Sequence, residues 1–67
     1  MRERMFDIEV DGGLHGWVST WPDRRDQGLI DLVRSGSKVV LIKLIDCTRY
    51  SVTLDAKSRL YFIREQA

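Results

Sequence analysis

His15 and Cys47 have the most direct chemical capacity in the 67-residue chain, as its single histidine and single cysteine. A nearby imidazolium lowers a thiol's pKa and generates the nucleophilic thiolate, so the two would be the minimum apparatus of a small thiol enzyme. The sequence does not bring them together, since His15 belongs on a strand and Cys47 in a turn. A lone cysteine in a small protein usually serves as inert packing. Ser19, beside His15 on one strand face, lacks a third orienting group and a nucleophile elbow. The expectation is therefore no catalytic residue and no enzyme.

Asp7, Glu9 and Asp11 alternate along one strand face, where carboxylates could hold a cation or share acid and base work. The simpler expectation is a solvated face that resists edge-to-edge pairing. Gly12, Gly13 and Gly16 resemble fragments of a phosphate loop, but no helix begins where its dipole would be needed, so they read as a hairpin and its bulge. One histidine and one cysteine cannot assemble a structural zinc site within one chain, and neither metal nor cofactor is expected.

Trp17, Trp21, Arg24 and Arg25 form a cluster with a second kind of chemistry. Aromatic faces stack on bases for about 1–3 kcal/mol each, and guanidinium groups bind phosphates, so a nucleotide or single-stranded RNA segment would fit, with His15 and Tyr61 nearby as further contacts. The opposing consideration is a net charge of only +1, because affinity for nucleic acid draws mainly on unbalanced positive charge.

The elements that must position these groups follow from periodicity. Residues 5–11 alternate, with Phe6, Ile8 and Val10 opposite Asp7, Glu9 and Asp11, as in a half-buried strand. Asp11-Gly12-Gly13 supplies the positive-φ tolerance of a hairpin turn. A second strand over 14–21 places Leu14 and Val18 on one side and His15, Trp17, Ser19 and Trp21 on the other, and Pro22 ends it. Thr20 to Asp23 reads as a capping box with Asp23 as an alternative cap, predicting a helix of about three turns whose stripe is Leu29, Leu32 and Val33 and whose stop is Gly36. Residues 38–46 form a strand apolar at both parities, and strands over 50–54 and 59–65 complete the chain.

The expected architecture is α+β: a small antiparallel sheet of about five strands, ordered ββαβββ, with one helix on one face, in a single domain spanning 1–67. The alternative is a small Sm- or SH3-like β-barrel. From the helix onward the pattern of short strands resembles Sm-like barrels, although the glycine such a hairpin carries after Asp46 is Cys47 here.

If Phe6, Ile8, Val10, Leu14, Val18, Val40, Ile42, Leu44, Val52, Leu54, Leu60 and Phe62 face the helix, then Trp17, Trp21, Val39, Leu41, Ile45, Tyr61 and Ile63 project from the opposite side. That is more apolar surface than a lone domain usually exposes. A chain of this length gains only about 3–5 kcal/mol from its core and has no disulfide to help, so self-association is the expected support. Trp17, Val39, Leu41, Ile45 and Ile63 are the expected interface of a homo-oligomer. The functional expectation is a non-enzymatic binding or regulatory module that acts by occupying a partner, with protein partners open and a nucleotide or RNA ligand as the alternative. Hydrophobic residues make up 43% and charged residues 31%, a folded composition without a basic block or a membrane-length apolar run. The N-terminal Met-Arg-Glu-Arg-Met lacks the apolar stretch of a secretory signal, and the unpaired cysteine suits a reducing compartment, so a cytoplasmic location is expected.

Overall fold

Val10 and Gly13 face each other across a turn in which Asp11 (φ 52°) and Gly12 (φ 85°) are both left-handed, the geometry of a type I′ hairpin. The hairpin joins β1 (Phe6–Val10) to β2 (Gly13–Val18) in a computed structural model that describes residues 3–66. Met1, Arg2 and Ala67, the ends of the expected 1–67 domain, lie outside the described residues. The chain continues through α1 (Gln27–Arg34), β3 (Val39–Lys43), β4 (Thr48–Leu54) and β5 (Leu60–Arg64). Every strand pair is antiparallel, and the sheet order is β2-β1-β3-β4-β5. The sheet is open, with β2 and β5 at its two edges, so the α+β expectation holds and the barrel alternative does not.

The helix is shorter than its sequence suggests. Asp26, not Thr20 or Asp23, is the N-cap, its Oδ1 accepting from the Leu29 N–H at 3.0 Å. At the other end Gly36 (φ 89°) donates to the Val33 carbonyl and Ser37 donates to the Leu32 carbonyl, which is a Schellman stop. Eight residues remain between the caps.

Residues 19–26 leave the sheet and cross its helix-side face as a strap. Trp21 lies on Phe6, Tyr50 and Phe62 at ring-centroid distances of 4.7, 5.0 and 5.6 Å, and Pro22 is buried. The strap is fastened at β5, where Leu60 N–H donates to the Arg24 carbonyl at 2.7 Å and Arg24 Nε donates to the Leu60 carbonyl at 2.9 Å. Strap and helix together cover one face, which is how so short a helix suffices.

Two expectations about side-chain direction are corrected. β3 pairs with β1 so that Ile8 meets Leu41 and Val10 meets Val39, which puts Val39 and Leu41 (3% and 1% exposed) in the helix-side core and Val40 and Ile42 on the far face, where Val40 is nevertheless buried, at 2%. A strand apolar on both sides carries no internal sign of which side faces inward, and a one-residue slip exchanges the two sets. Leu44 and Ile45 lie beyond the strand in the turn to β4, where Ile45 is 79% exposed. In β2 an extra residue, His15, bulges between Gly16 opposite Ile8 and Leu14 opposite Glu9. The bulge reverses the alternation, so Leu14 points to the far face instead of the core.

The turn residue Cys47 has φ 59°, a left-handed conformation that costs a residue with a Cβ about 1–2 kcal/mol. Cys47→Gly is expected to raise stability by about 0.5–1 kcal/mol, read as a higher urea midpoint, because glycine's larger unfolded-state entropy offsets part of the relief. Cys47→Ser should give no such gain, which separates the backbone effect from loss of the thiol.

Candidate functional site

Trp17 and Trp21 stand on opposite sides of the sheet. Trp17 is in register with Asp7 on the far face, whereas Trp21 packs on the helix side. Both remain half-exposed, at 48% and 46%, and both border an open groove of about 490 Å³ where the chain leaves β2 and enters the strap. Its other walls are Val18, Ser19, Thr20, Pro22, Asp23 and Asp26. Asp23 Oδ1 accepts from the Arg25 N–H at 2.8 Å, and Asp26 Oδ1 caps the helix. Among the described residues the second oxygen of each carboxylate enters no hydrogen bond or ion pair.

The expected phosphate ligands are placed differently. Arg24 Nη2 donates to Asp55 Oδ2 at 2.9 Å while its Nε holds the Leu60 carbonyl, so this guanidinium is a clamp on the strap. Arg25 is exposed and does not line the groove. Tyr61 is at the opposite edge of the sheet from Trp17, four strand spacings across and displaced along the strands as well. His15 is the exposed bulge residue of β2, and Cys47 is exposed in the turn beyond β3, two strands over and toward the other end. The structure therefore joins Trp17 and Trp21 around one groove and keeps Arg24, His15, Cys47 and Tyr61 apart from it.

The far face is organised in rows across the strands. One runs Trp17, Asp7, Ile42, Arg49, and the next runs Leu14, Glu9, Val40, Ser51, Ile63, with Thr53 and Tyr61 beyond. The expected apolar patch is thus divided: Val39 and Leu41 are core, Trp21 belongs to the strap on the helix side, and Trp17 and Leu14 flank one edge while Tyr61 and Ile63 flank the other. Arg49 fills the centre, donating to Glu9 at 3.2 Å and to Glu65 at 3.3 Å, and Ser51 Oγ donates to Glu65 at 3.0 Å. The hydrogen bond to Glu9 is the largest influence holding the Arg49 pKa above its ordinary value. The three strand carboxylates do not converge: Asp7 pairs with Arg4 at 2.6 Å, Glu9 with Arg49, and Asp11 accepts from the Lys38 N–H at 2.9 Å. Among the described residues no three metal-ligating side chains gather.

Two turn carboxylates are shifted. Asp55 accepts from the backbone N–H groups of Arg59 and Lys57 and lies against Arg59 and Arg24, with the Arg59 bond the main cause of its lowered pKa. Asp46 is lowered chiefly by the Thr48 hydroxyl, which donates at 2.6 Å. A carboxylate whose folded pKa lies below its unfolded value contributes its full stabilisation above the unfolded pKa and loses it as pH falls through the folded one. Stability should hold level above about pH 5 and decline below about pH 4. In acid titrations followed by circular dichroism, Asp46→Asn and Asp55→Asn should each flatten that decline.

Sequence reasoning missed Asp23 and Asp26 as groove residues, reading Asp23 only as an alternative helix cap and giving Asp26 no role. Compared with protein-family models, curated proteins and solved structures, the chain matches none.

Proposed function

We propose that this chain is a non-enzymatic binding module that assembles with a second copy of itself through the sheet face its helix leaves open. The observation that carries this reading is the placement of Leu14, Trp17, Tyr61 and Ile63, all exposed, on that uncovered face. A two-fold axis through the face would set the Leu14 and Trp17 edge of one copy on the Tyr61 and Ile63 edge of the other, because in an isologous contact each residue pair occurs twice. The strip of Glu9, Arg49 and Glu65 would remain paired within each copy at the centre. Such a dimer supplies the burial that a core worth about 3–5 kcal/mol lacks.

Light scattering at micromolar concentration tests this. The expected mass is twice that of the chain, and Tyr61→Glu with Ile63→Glu should return it to the single-chain value with folding retained. A wild-type mass equal to one chain, with an ordinary thermal transition, overturns the reading. The alternative of a nucleotide or RNA ligand held by Trp17, Trp21, Arg24 and Arg25 is not carried forward, since Arg24 is committed to Asp55 and Leu60 and the groove between the tryptophans is lined by carboxylates.

A further inference from the structure

We propose that Asp11 and Gly12 form a site of spontaneous covalent modification, conversion of Asp11 to isoaspartate, and that the β1–β2 hairpin is the brake on it. Of the aspartates in the chain, Asp11 alone is followed by glycine. Glycine has no side chain to shield its amide nitrogen, and no atom lies within 4 Å of where a Gly12 Cβ would stand. Both residues are exposed. The reaction needs only water. The Gly12 nitrogen attacks Cγ of the protonated Asp11 carboxyl, an N–Cγ bond forms, and the amide proton leaves with the carboxyl hydroxyl as water. Water then adds to the main-chain carbonyl carbon of the resulting succinimide and breaks its bond to the Gly12 nitrogen. The chain now runs through Cβ and Cγ, and the former main-chain carbonyl is a carboxylate, so mass and charge are unchanged. Addition at the other carbonyl restores aspartate.

The fold opposes ring closure in two ways. A five-membered ring requires the Gly12 nitrogen to eclipse Cβ about the Asp11 Cα–C bond. In the type I′ turn, with Asp11 at φ 52° and Gly12 at φ 85°, that nitrogen is instead held nearly anti to Cβ. The carboxyl is also occupied. Asp11 Oδ1 accepts from the Lys38 N–H at 2.9 Å, while the Asp11 N–H donates to the Lys38 carbonyl at 2.8 Å. Ring closure therefore waits for the hairpin to open and for Asp11 to leave Lys38. The converted chain does not close again as before, because its main chain is longer by one methylene than a two-residue I′ turn accommodates and the Lys38 N–H has lost its acceptor. Residue 11 thus records past openings of the hairpin in a covalent bond.

The test is incubation of the full chain at mildly acidic pH, once folded in buffer and once in guanidinium chloride above its unfolding midpoint. After dialysis, isoaspartate is counted by methylation with a protein isoaspartate methyltransferase. Its position is read by mass spectrometry after digestion with a protease that cuts before aspartate but not before isoaspartate. In denaturant the cut between Val10 and Asp11 should disappear ahead of those at the other aspartates, with a transient species lighter by one water. In buffer the loss should be at least about tenfold slower, because only chains with the hairpin open react. Asp11→Asn keeps the turn and the Oδ1 acceptor and closes the same ring with ammonia leaving, so its deamidation should show the same ratio. The purified isoaspartate chain should unfold at a lower urea midpoint than the fresh one. Equal rates in the folded and unfolded chain, earlier conversion at another aspartate, or an unchanged midpoint overturns the proposal. The Tyr61→Glu, Ile63→Glu chain should convert as wild type does, so this site and the assembly face succeed or fail separately.

Discussion

Leu41→Ala is expected to leave most of the chain unfolded in water at room temperature. Leu41 is the side chain on β3 that meets Ile8 on one side and Tyr50 on the other, and it is among the two most deeply buried residues of the protein. Truncating a leucine in such a position removes its transfer free energy and leaves a cavity, at a cost of about 3–5 kcal/mol. That equals the whole stability a core of this size provides, about 3–5 kcal/mol. Far-UV circular dichroism against urea measures it directly. Ile42→Ala, one residue along and on the far face, should cost less than half as much. If Leu41→Ala instead left the urea midpoint unchanged while lowering the mass in solution, Leu41 would be an interface residue and the register of β3 would be shifted by one.

The second large effect separates the two tryptophans. Trp21→Ala should cost about 2–3 kcal/mol, somewhat below the range for a fully buried tryptophan because half of the ring is exposed. It removes the weight that holds the strap on Phe6, Tyr50 and Phe62. Trp17→Ala, on a far-face position of an edge strand, should stay within about 0.5 kcal/mol when measured in the chain carrying Tyr61→Glu and Ile63→Glu, where assembly no longer contributes. Equal costs for the two substitutions would mean that Trp21 does not anchor residues 19–26.

What the sequence reveals here is mostly what is local. Asp11 and Gly12 announce a turn because both must take positive φ, and Gly36 announces a helix end for the same reason. The amphipathic alternation of β1 and of β4 also fixes their inward sides, with Phe6, Ile8 and Val52 buried as the pattern requires. β3 is different, since Val39 and Leu41 are no more apolar than Val40 and Ile42, and only pairing with a strand some thirty residues earlier decides between them. The helix start is ambiguous for another reason: Thr20, Asp23 and Asp26 are all competent caps, and which one acts depends on where the strap lets go of the sheet.

The candidate site was less legible than the fold. Trp17 and Trp21 do share a groove, but a strand drawn through both puts them on one face, and the chain in fact departs from the ladder after Val18. No local pattern could show that Arg24 is spent on Asp55, 31 residues away, or that His15 is an unpaired extra residue that turns Leu14 outward. Each of these depends on partners distant in sequence.

The bulge at His15 and the clamp of Arg24 on Leu60 also determine how far any assembly can grow. An open sheet invites new strands at its borders, and chains that accept them polymerise into ribbons without limit. Here one border is kinked by the extra residue, and on the other the N–H and carbonyl of Leu60 are already taken by Arg24. Growth by strand addition is hindered at both ends, so if copies of this chain associate as proposed, across the open face of the sheet, the contact would close after two and stay finite at high concentration.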